Sequence, residues 1–312
     1  MNFDQRFRDA MRVASSVTDW ADPYFTWQKA YIASVFARAA YEHIPQFEIE
    51  HAERAKLIPC EEYQAIFASK SFAAAQRFFQ SQDGGPSFFI VERKDVVVVL
   101  AKIKSALFIS LRGTQSFYDL MADIDVRHVR FPADRDSLIQ LHQGFFGAVA
   151  SCLPEVIARA AERIDDDTRL YITGHSLGGA MAAIMNAQLL TGLAWRARSM
   201  ARRNYWDLLP TACFAFGMPR YGNGYAVTQL AYPFNVYNEL DIVPTMPPLS
   251  LGFADSPDEY CLTAEGKLVR PHKKGVGIVR GGNGRLKILG IADHRMERYM
   301  ERVETAFLKG NS

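Results

Sequence analysis

The sequence predicts an α/β fold, a mostly parallel central sheet with helices on both faces, and three observations lead there. Strand-like runs rich in Val, Ile and Phe alternate with segments of helical period along the chain. The run Leu170, Tyr171, Ile172, Thr173 passes through one sharp glycine-bearing turn directly into the apolar helical stretch AMAAIMNAQLL. The composition, 49% hydrophobic and 22% charged, is that of a globular chain and excludes a disordered or fibrous one. A length of 312 residues allows one or two domains. With no internal repeat and no long Gly/Ser/Pro-rich linker, one domain over 1–312 is expected, with a helical N-terminal portion over 1–83.

Taken in order, 28–41 carries Ile32, Val35, Phe36, Ala39 and Ala40 at helical spacing, so one stripe faces a core. Charged and alanine-rich stretches over 45–80, broken at Pro59, predict two short helices before the turn signal Asp83-Gly84-Gly85-Pro86. SFFIVERKD, VVVVLAKIK and ALFISLRGT then read as consecutive strands from 87 to 114. Over 144–164, Phe145, Val149, Cys152, Val156, Ile157, Ala160 and Ile164 mark a helix. RLYIT precedes the glycine turn, and CFAFGMPR, PFNVYNELDIV and RLKILGI supply three further strands. Met296, Tyr299, Met300, Val303 and Phe307 mark a closing amphipathic helix.

Charge and cysteine usage narrow the class. The balance of 36 Lys+Arg against 34 Asp+Glu leaves a net charge of +2 and argues against a nucleic-acid partner. Cys60, Cys152, Cys213 and Cys261 are far apart, so four free thiols are expected and no zinc site. HExxH is absent, and no metal or cofactor is predicted. The first twenty residues alternate charged and apolar side chains without a Sec-type leader, and the longest apolar run meets Lys102 well short of the ~20 residues a membrane span needs. A soluble protein is expected, cytoplasmic or exported by a non-Sec route.

Gly174-His175-Ser176-Leu177-Gly178 has the form G-x-S-x-G, a turn that presents a serine between a strand and a helix. The pattern arises by chance in glycine-rich chains, but here the strand, turn and helix setting surrounds it. A serine hydroxyl is a weak nucleophile near neutral pH and needs a histidine to take its proton and a carboxylate to orient that histidine. The chain order for such a turn is Ser, Asp/Glu, His. Of seven histidines only His272 and His294 follow Ser176, and His294, between a strand-like run and the last helix, is the better placed. Asp241, at the carboxyl end of a strand-like run and ahead of Pro244, is the candidate acid, with Glu239 its near rival. The N–H of Leu177 is one donor for an oxyanion. Thr114, ending a strand in Arg112-Gly113-Thr114, offers an N–H and a hydroxyl as the second.

LRGTQSFYDLMADI, LHQGFFGAV, YITGHSLGGA, FGMPRYGN, NELDIVPTMPP and ADHRM, in this order and spacing, resemble the class 3 lipase family, the α/β-hydrolase group that includes the Rhizomucor-type triacylglycerol lipases. The resemblance runs from about Tyr24 to Phe307. It implies an α/β-hydrolase fold with Ser176 as nucleophile, Asp241 as orienting acid and His294 as general base, and it places Thr114 beside the Leu177 N–H in the oxyanion hole. It further implies a short helical lid at Gln115, Ser116, Phe117, Tyr118, Asp119 and Leu120, an acid at Asp123 that holds the oxyanion hydroxyl, and structural support for the serine turn from His142 and Gly144. The fungal disulfides have no counterpart, Leu120 stands where the fungal enzymes can carry tryptophan, and Asp119 makes the lid tip partly acidic.

The implied activity is that of a serine carboxylic-ester hydrolase, a lipase cleaving acylglycerol esters through an acyl-enzyme. Phospholipase A1 and feruloyl-type esterase are the alternatives on the same triad, and a non-catalytic lipase-like interaction protein is the alternative of another class. The partner is a lipid or other ester at a lipid-water interface. Two basic stretches, Arg196, Arg198, Arg202, Arg203 and Arg270, Lys273, Lys274, Arg280, Arg285, Lys287, are either solvated surface or a peripheral contact with anionic membrane. The apolar segment Met246, Pro247, Pro248, Leu249, Leu251, Phe253 either lines an acyl pocket or packs on the sheet.

Overall fold

Alternation along single strands decides which side of the sheet each residue covers, and it shows at Ala106–Leu111, where Leu107 and Ile109 enter one apolar cluster and Phe108 the other. The structure is a computed structural model that describes residues 3–42, 87–93, 96–113, 126–131, 138–191, 209–269, 278–280, 286–288 and 291–310. The two helices expected over 45–80, the turn at 83–86, the lid at 115–120 and Asp123 lie outside these residues.

The main sheet is built from β1 (Ser87–Arg93), β2 (Val96–Ile103), β3 (Ala106–Leu111), β6 (Arg169–His175), β7 (Pro210–Phe216), β8 (Phe234–Asn238), β9 (Glu259–Leu262) and β10 (Leu268–Val269), side by side in the order β1-β2-β3-β6-β7-β8-β9-β10. β3, β6, β7, β8 and β9 run parallel, and β1, β2 and β10 add antiparallel edges. Two ribbons stand apart, β4 (His128–Arg130) with β5 (Gln140–His142) and β11 (Ile278–Arg280) with β12 (Leu286–Ile288). The run RLKILGI therefore does form a strand, but it pairs with β11 instead of joining the main sheet. β9, not expected from the sequence, takes the place beside β8. Its EYCL is short and flanked by charge, so only pairing with β8 identifies it.

Helices cover both faces. α3 (Gln143–Ala161), α4 (Leu177–Leu190) and α5 (Gly224–Gln229) close one core over Val98, Leu100, Ile109 and Ile172. α1 (Phe3–Ser16), α2 (Trp27–Ala39) and α6 (Met296–Leu308) close the other over Phe108, Tyr171, Phe214 and Phe216. α3 is long and apolar enough to cross a membrane by length and composition. Its apolar face, Phe145, Val149, Cys152, Val156 and Ala160, is the one that packs on the sheet. α4 is buried at every position from Gly178 to Leu189, as a helix without a polar face must be. α1 lies within the helical N-terminal portion expected over 1–83; its Phe3, Phe7, Ala10 and Ala14 recur at helical spacing, and the last three are buried.

α2 starts at Thr26, whose hydroxyl accepts from the Lys29 amide at 3.1 Å. It lies against α6, with Tyr31 stacked on Phe307 and Arg38 paired to Glu297 at 2.8 Å. A 3-10 turn, Ala40–Glu42, ends it and carries Tyr41 to the carboxyl edge of the sheet.

Candidate active site

Every strand that feeds the site does so from its carboxyl end, where an open parallel sheet leaves a crevice. β6 ends at His175, and Ser176 follows with φ 59° and ψ −132°, a backbone conformation that a residue with a side chain rarely takes. That turn reverses the chain into α4 within one residue. It is tight enough that a Cβ on Gly178 would lie 2.1 Å from the Leu111 carbonyl and one on Gly174 would lie 2.2 Å from the Gly178 carbonyl. Both glycines are therefore demanded by the approach of strand to helix.

Ser176 Oγ is 2.8 Å from His294 Nε2, and His294 Nδ1 is 2.8 Å from Asp241 Oδ2. A carboxylate only accepts, so Nδ1 carries the proton and Nε2 accepts from the serine hydroxyl. That is the tautomer a general base requires. All three side chains are buried. The backbone N–H of Leu177 opens α4, where no helical carbonyl precedes it to accept. Thr114, the second donor implied by the resemblance, lies outside the described residues, as does His272. Glu239, the rival acid, is exposed, whereas Asp241 is buried against His294.

The carboxylate is more crowded than the sequence suggested. Oδ1 accepts from the Val243 amide at 2.9 Å, and Oδ2 accepts from the Tyr299 hydroxyl at 2.5 Å as well as from His294. Tyr299 accepts in turn from the Asn238 amide at 3.1 Å. Burial first, and the Asp241 charge second, hold the Tyr299 hydroxyl protonated and raise its pKa well above the usual phenol value. From the sequence, Tyr299 reads only as one member of the apolar stripe of α6. Its signal, a polar tip among Met296, Met300 and Val303, was available but not decisive. Tyr299→Phe is expected to lower stability by about 1–3 kcal/mol, because a buried carboxylate loses a donor. Urea denaturation midpoints of the two proteins check it.

The segment bearing His294 is tied down by β8 and α6. Asn238 donates through its side-chain amide to the Asp293 carbonyl at 2.7 Å, and Arg302 pairs with the Asp293 carboxylate at 2.9 Å. The loop after Asp241 is held by Arg220, which donates to Asp255 at 2.8 Å and to the Pro247 carbonyl at 2.7 Å. Phe253 is buried against His128 and His142, and Leu249 and Leu251 are exposed. His142 caps α3 through the Phe145 amide. Among the described residues no set of His, Cys, Asp and Glu is placed to hold a metal ion.

The family model "Lipase (class 3)" matches residues 108–251, which span Ser176 and Asp241. The chain is 27% identical to the lipase of Rhizomucor miehei over 171 residues, 54% of this chain and 45% of that one. It is 26% identical to phospholipase A1-II 1 of Oryza sativa subsp. indica over 239 residues, 64% of this chain and 54% of that one. Among solved structures, a Rhizomucor miehei lipase propeptide complex superposes with a TM-score of 0.48 at 21% identity, covering 77% of this chain and 68% of that one. The chain spans less than half the length of the curated fungal lipases it matches. With Ser176 on a strained strand-to-helix turn and Asp241 buried beside His294, the segment that carries both is similar to the class 3 lipase family.

Proposed function

We propose that the protein is a serine carboxylic-ester hydrolase cleaving acylglycerol esters through an acyl-enzyme. The observation that carries the reading is the pair of 2.8 Å hydrogen bonds linking Ser176 to His294 and His294 to Asp241. Ser176 Oγ attacks the ester carbonyl as His294 Nε2 takes its proton, and the carbonyl oxygen becomes an oxyanion facing the Leu177 N–H. When the tetrahedral adduct collapses, the carbonyl-to-alkoxy bond breaks and His294 returns the proton to the departing alcohol. A water molecule then repeats the sequence on the acyl-serine, releasing the acid. Asp241, held by three donors, is positioned beside the ring on which the imidazolium forms.

Phospholipase A1 activity is the second reading, favoured by the length of the match to the rice relative. In both, the substrate is a lipid ester, and the basic stretches at 196–203 and 270–287, mostly outside the described residues, would attract the protein to an anionic membrane that carries it.

Incubation with an alkylphosphonate is expected to give a single adduct on Ser176; an unlabelled serine would favour a non-catalytic interaction protein. Hydrolysis of p-nitrophenyl esters of rising chain length, followed across each ester's solubility limit, then separates the substrates. A rate jump above the limit supports an acylglycerol lipase. Preference for short soluble esters overturns it in favour of an esterase, and release of fatty acid from phosphatidylcholine vesicles in preference to triacylglycerol favours phospholipase A1.

A further inference from the structure

His175, inside the serine turn, is fully enclosed and uses both ring nitrogens. Nε2 is 2.7 Å from the His294 backbone carbonyl, and Nδ1 is 2.9 Å from the Tyr41 hydroxyl. A carbonyl can only accept, so Nε2 donates, and the neutral ring leaves Nδ1 to accept from Tyr41. Burial, and the His294 ring at a centroid distance of 4.7 Å, push the His175 pKa well below the ordinary imidazole value. A proton there would also oppose the imidazolium that forms on His294 during turnover.

Tyr41 extends the chain of contacts. Its hydroxyl lies against Gly113, whose missing side chain makes room for it. A Cβ on Gly113 would fall 2.6 Å from both the Tyr41 oxygen and the His175 carbonyl. The Arg112 guanidinium lies over the Tyr41 ring, 5.7 Å from its centroid. One polar chain thus joins the end of β3, the serine turn and the main chain of His294. Tyr41 comes from the N-terminal helical layer, and neither it nor His294 falls within the residues matched by the family model.

We propose that His175 and Tyr41 are positioning residues for the ester-hydrolase reaction, setting the His294 backbone against Ser176 and keeping the β3 end in register with the serine turn; this rests on the function proposed above. Neither residue touches the reacting atoms. The 2.7 Å bond to the His294 carbonyl fixes the base at its main chain, while Asp241 fixes its ring, so translation and rotation are restrained separately. Displacement of about 1 Å in such a group costs up to about 100-fold in rate.

The test uses the full chain with soluble p-nitrophenyl ester, the alkylphosphonate and thermal unfolding, on His175→Leu, His175→Gln, Tyr41→Phe and Ser176→Ala. His175→Leu is expected to lower kcat by about 10- to 100-fold with KM changed less than about twofold, and to slow phosphonate labelling in the same ratio. Glutamine carries an amide N–H near the position of Nε2, so His175→Gln is expected to recover at least half of the lost activity on a logarithmic scale. Tyr41→Phe, which removes one oxygen atom from a buried ring, is expected to fold and to lower kcat several-fold. If Ser176→Ala is inactive and the phosphonate marks Ser176, but Tyr41→Phe and folded His175 variants keep wild-type kcat, the positioning role is wrong and the hydrolase reading stands. Loss of kcat without recovery in His175→Gln, at equal melting temperature in the two variants, also overturns it. An active Ser176→Ala protein overturns the hydrolase reading itself.

Discussion

Ser176→Ala is expected to lower ester turnover by about 10⁶-fold, the size of loss seen when the nucleophile of a serine triad is removed. The substitution keeps the Cβ and the same backbone demand, so the fold should be unchanged and the loss purely chemical. A residual rate near wild type, measured with a p-nitrophenyl ester under initial-rate conditions, would remove Ser176 from the mechanism. The same position carries a stability readout independent of activity. With φ 59° and ψ −132°, Ser176 occupies a region that costs a residue with a side chain about 1–3 kcal/mol. Ser176→Gly is therefore expected to be more stable than Ser176→Ala by about that order, and comparison of their denaturation midpoints checks it.

Asp241→Asn is expected to reduce kcat by about 10⁴-fold while leaving binding of soluble ester nearly unchanged. The carboxylate accepts three hydrogen bonds, from Val243, His294 and Tyr299. An amide in its place presents either its oxygen or its NH₂ at the Oδ2 position. With Tyr299 and His294 both donating to that position, the oxygen must serve two donors or the NH₂ faces His294, and the latter turns the imidazole to the tautomer that cannot accept from Ser176. Phosphonate labelling should slow in parallel with kcat. Equal loss of kcat and a doubled or greater KM would instead mean that the loop after β8 had moved, since that loop is held by Arg220.

Periodicity carried much of the fold. The strands at 87–111, the strand ending at His175 and the helices at 143–161 and 296–308 are all amphipathic or uniformly apolar over their length, so local pattern and burial agree. β9 and β11 were not legible in the same way, and β12, legible as a strand in RLKILGI, gave no sign of its partner. Four and three residues carry too little pattern, and their identity comes from the strands they pair with. The site divides similarly. Ser176 announces itself by its glycine neighbours, because only glycine permits the approach seen at Gly174 and Gly178. Tyr41, His175 and Tyr299 carried at most a weak local signal as parts of the site, and each becomes a site residue only through a partner far along the chain.

What the sequence by itself determined is the chemistry: a serine in a strand-to-helix turn, an acid and a histidine following in the required order, and strand and helix periods that form a parallel sheet with two covered faces. The tertiary structure decided which acid is buried, how many donors Asp241 receives, and that a tyrosine 134 residues before His175 and a carbonyl 119 residues after it close on the same ring. The physical reason is that period and propensity are local quantities. Contacts between remote segments depend on how β3, β6 and β8 are ordered in one sheet and on the helical layer of α1, α2 and α6, which carries Tyr41 and His294 to their carboxyl ends.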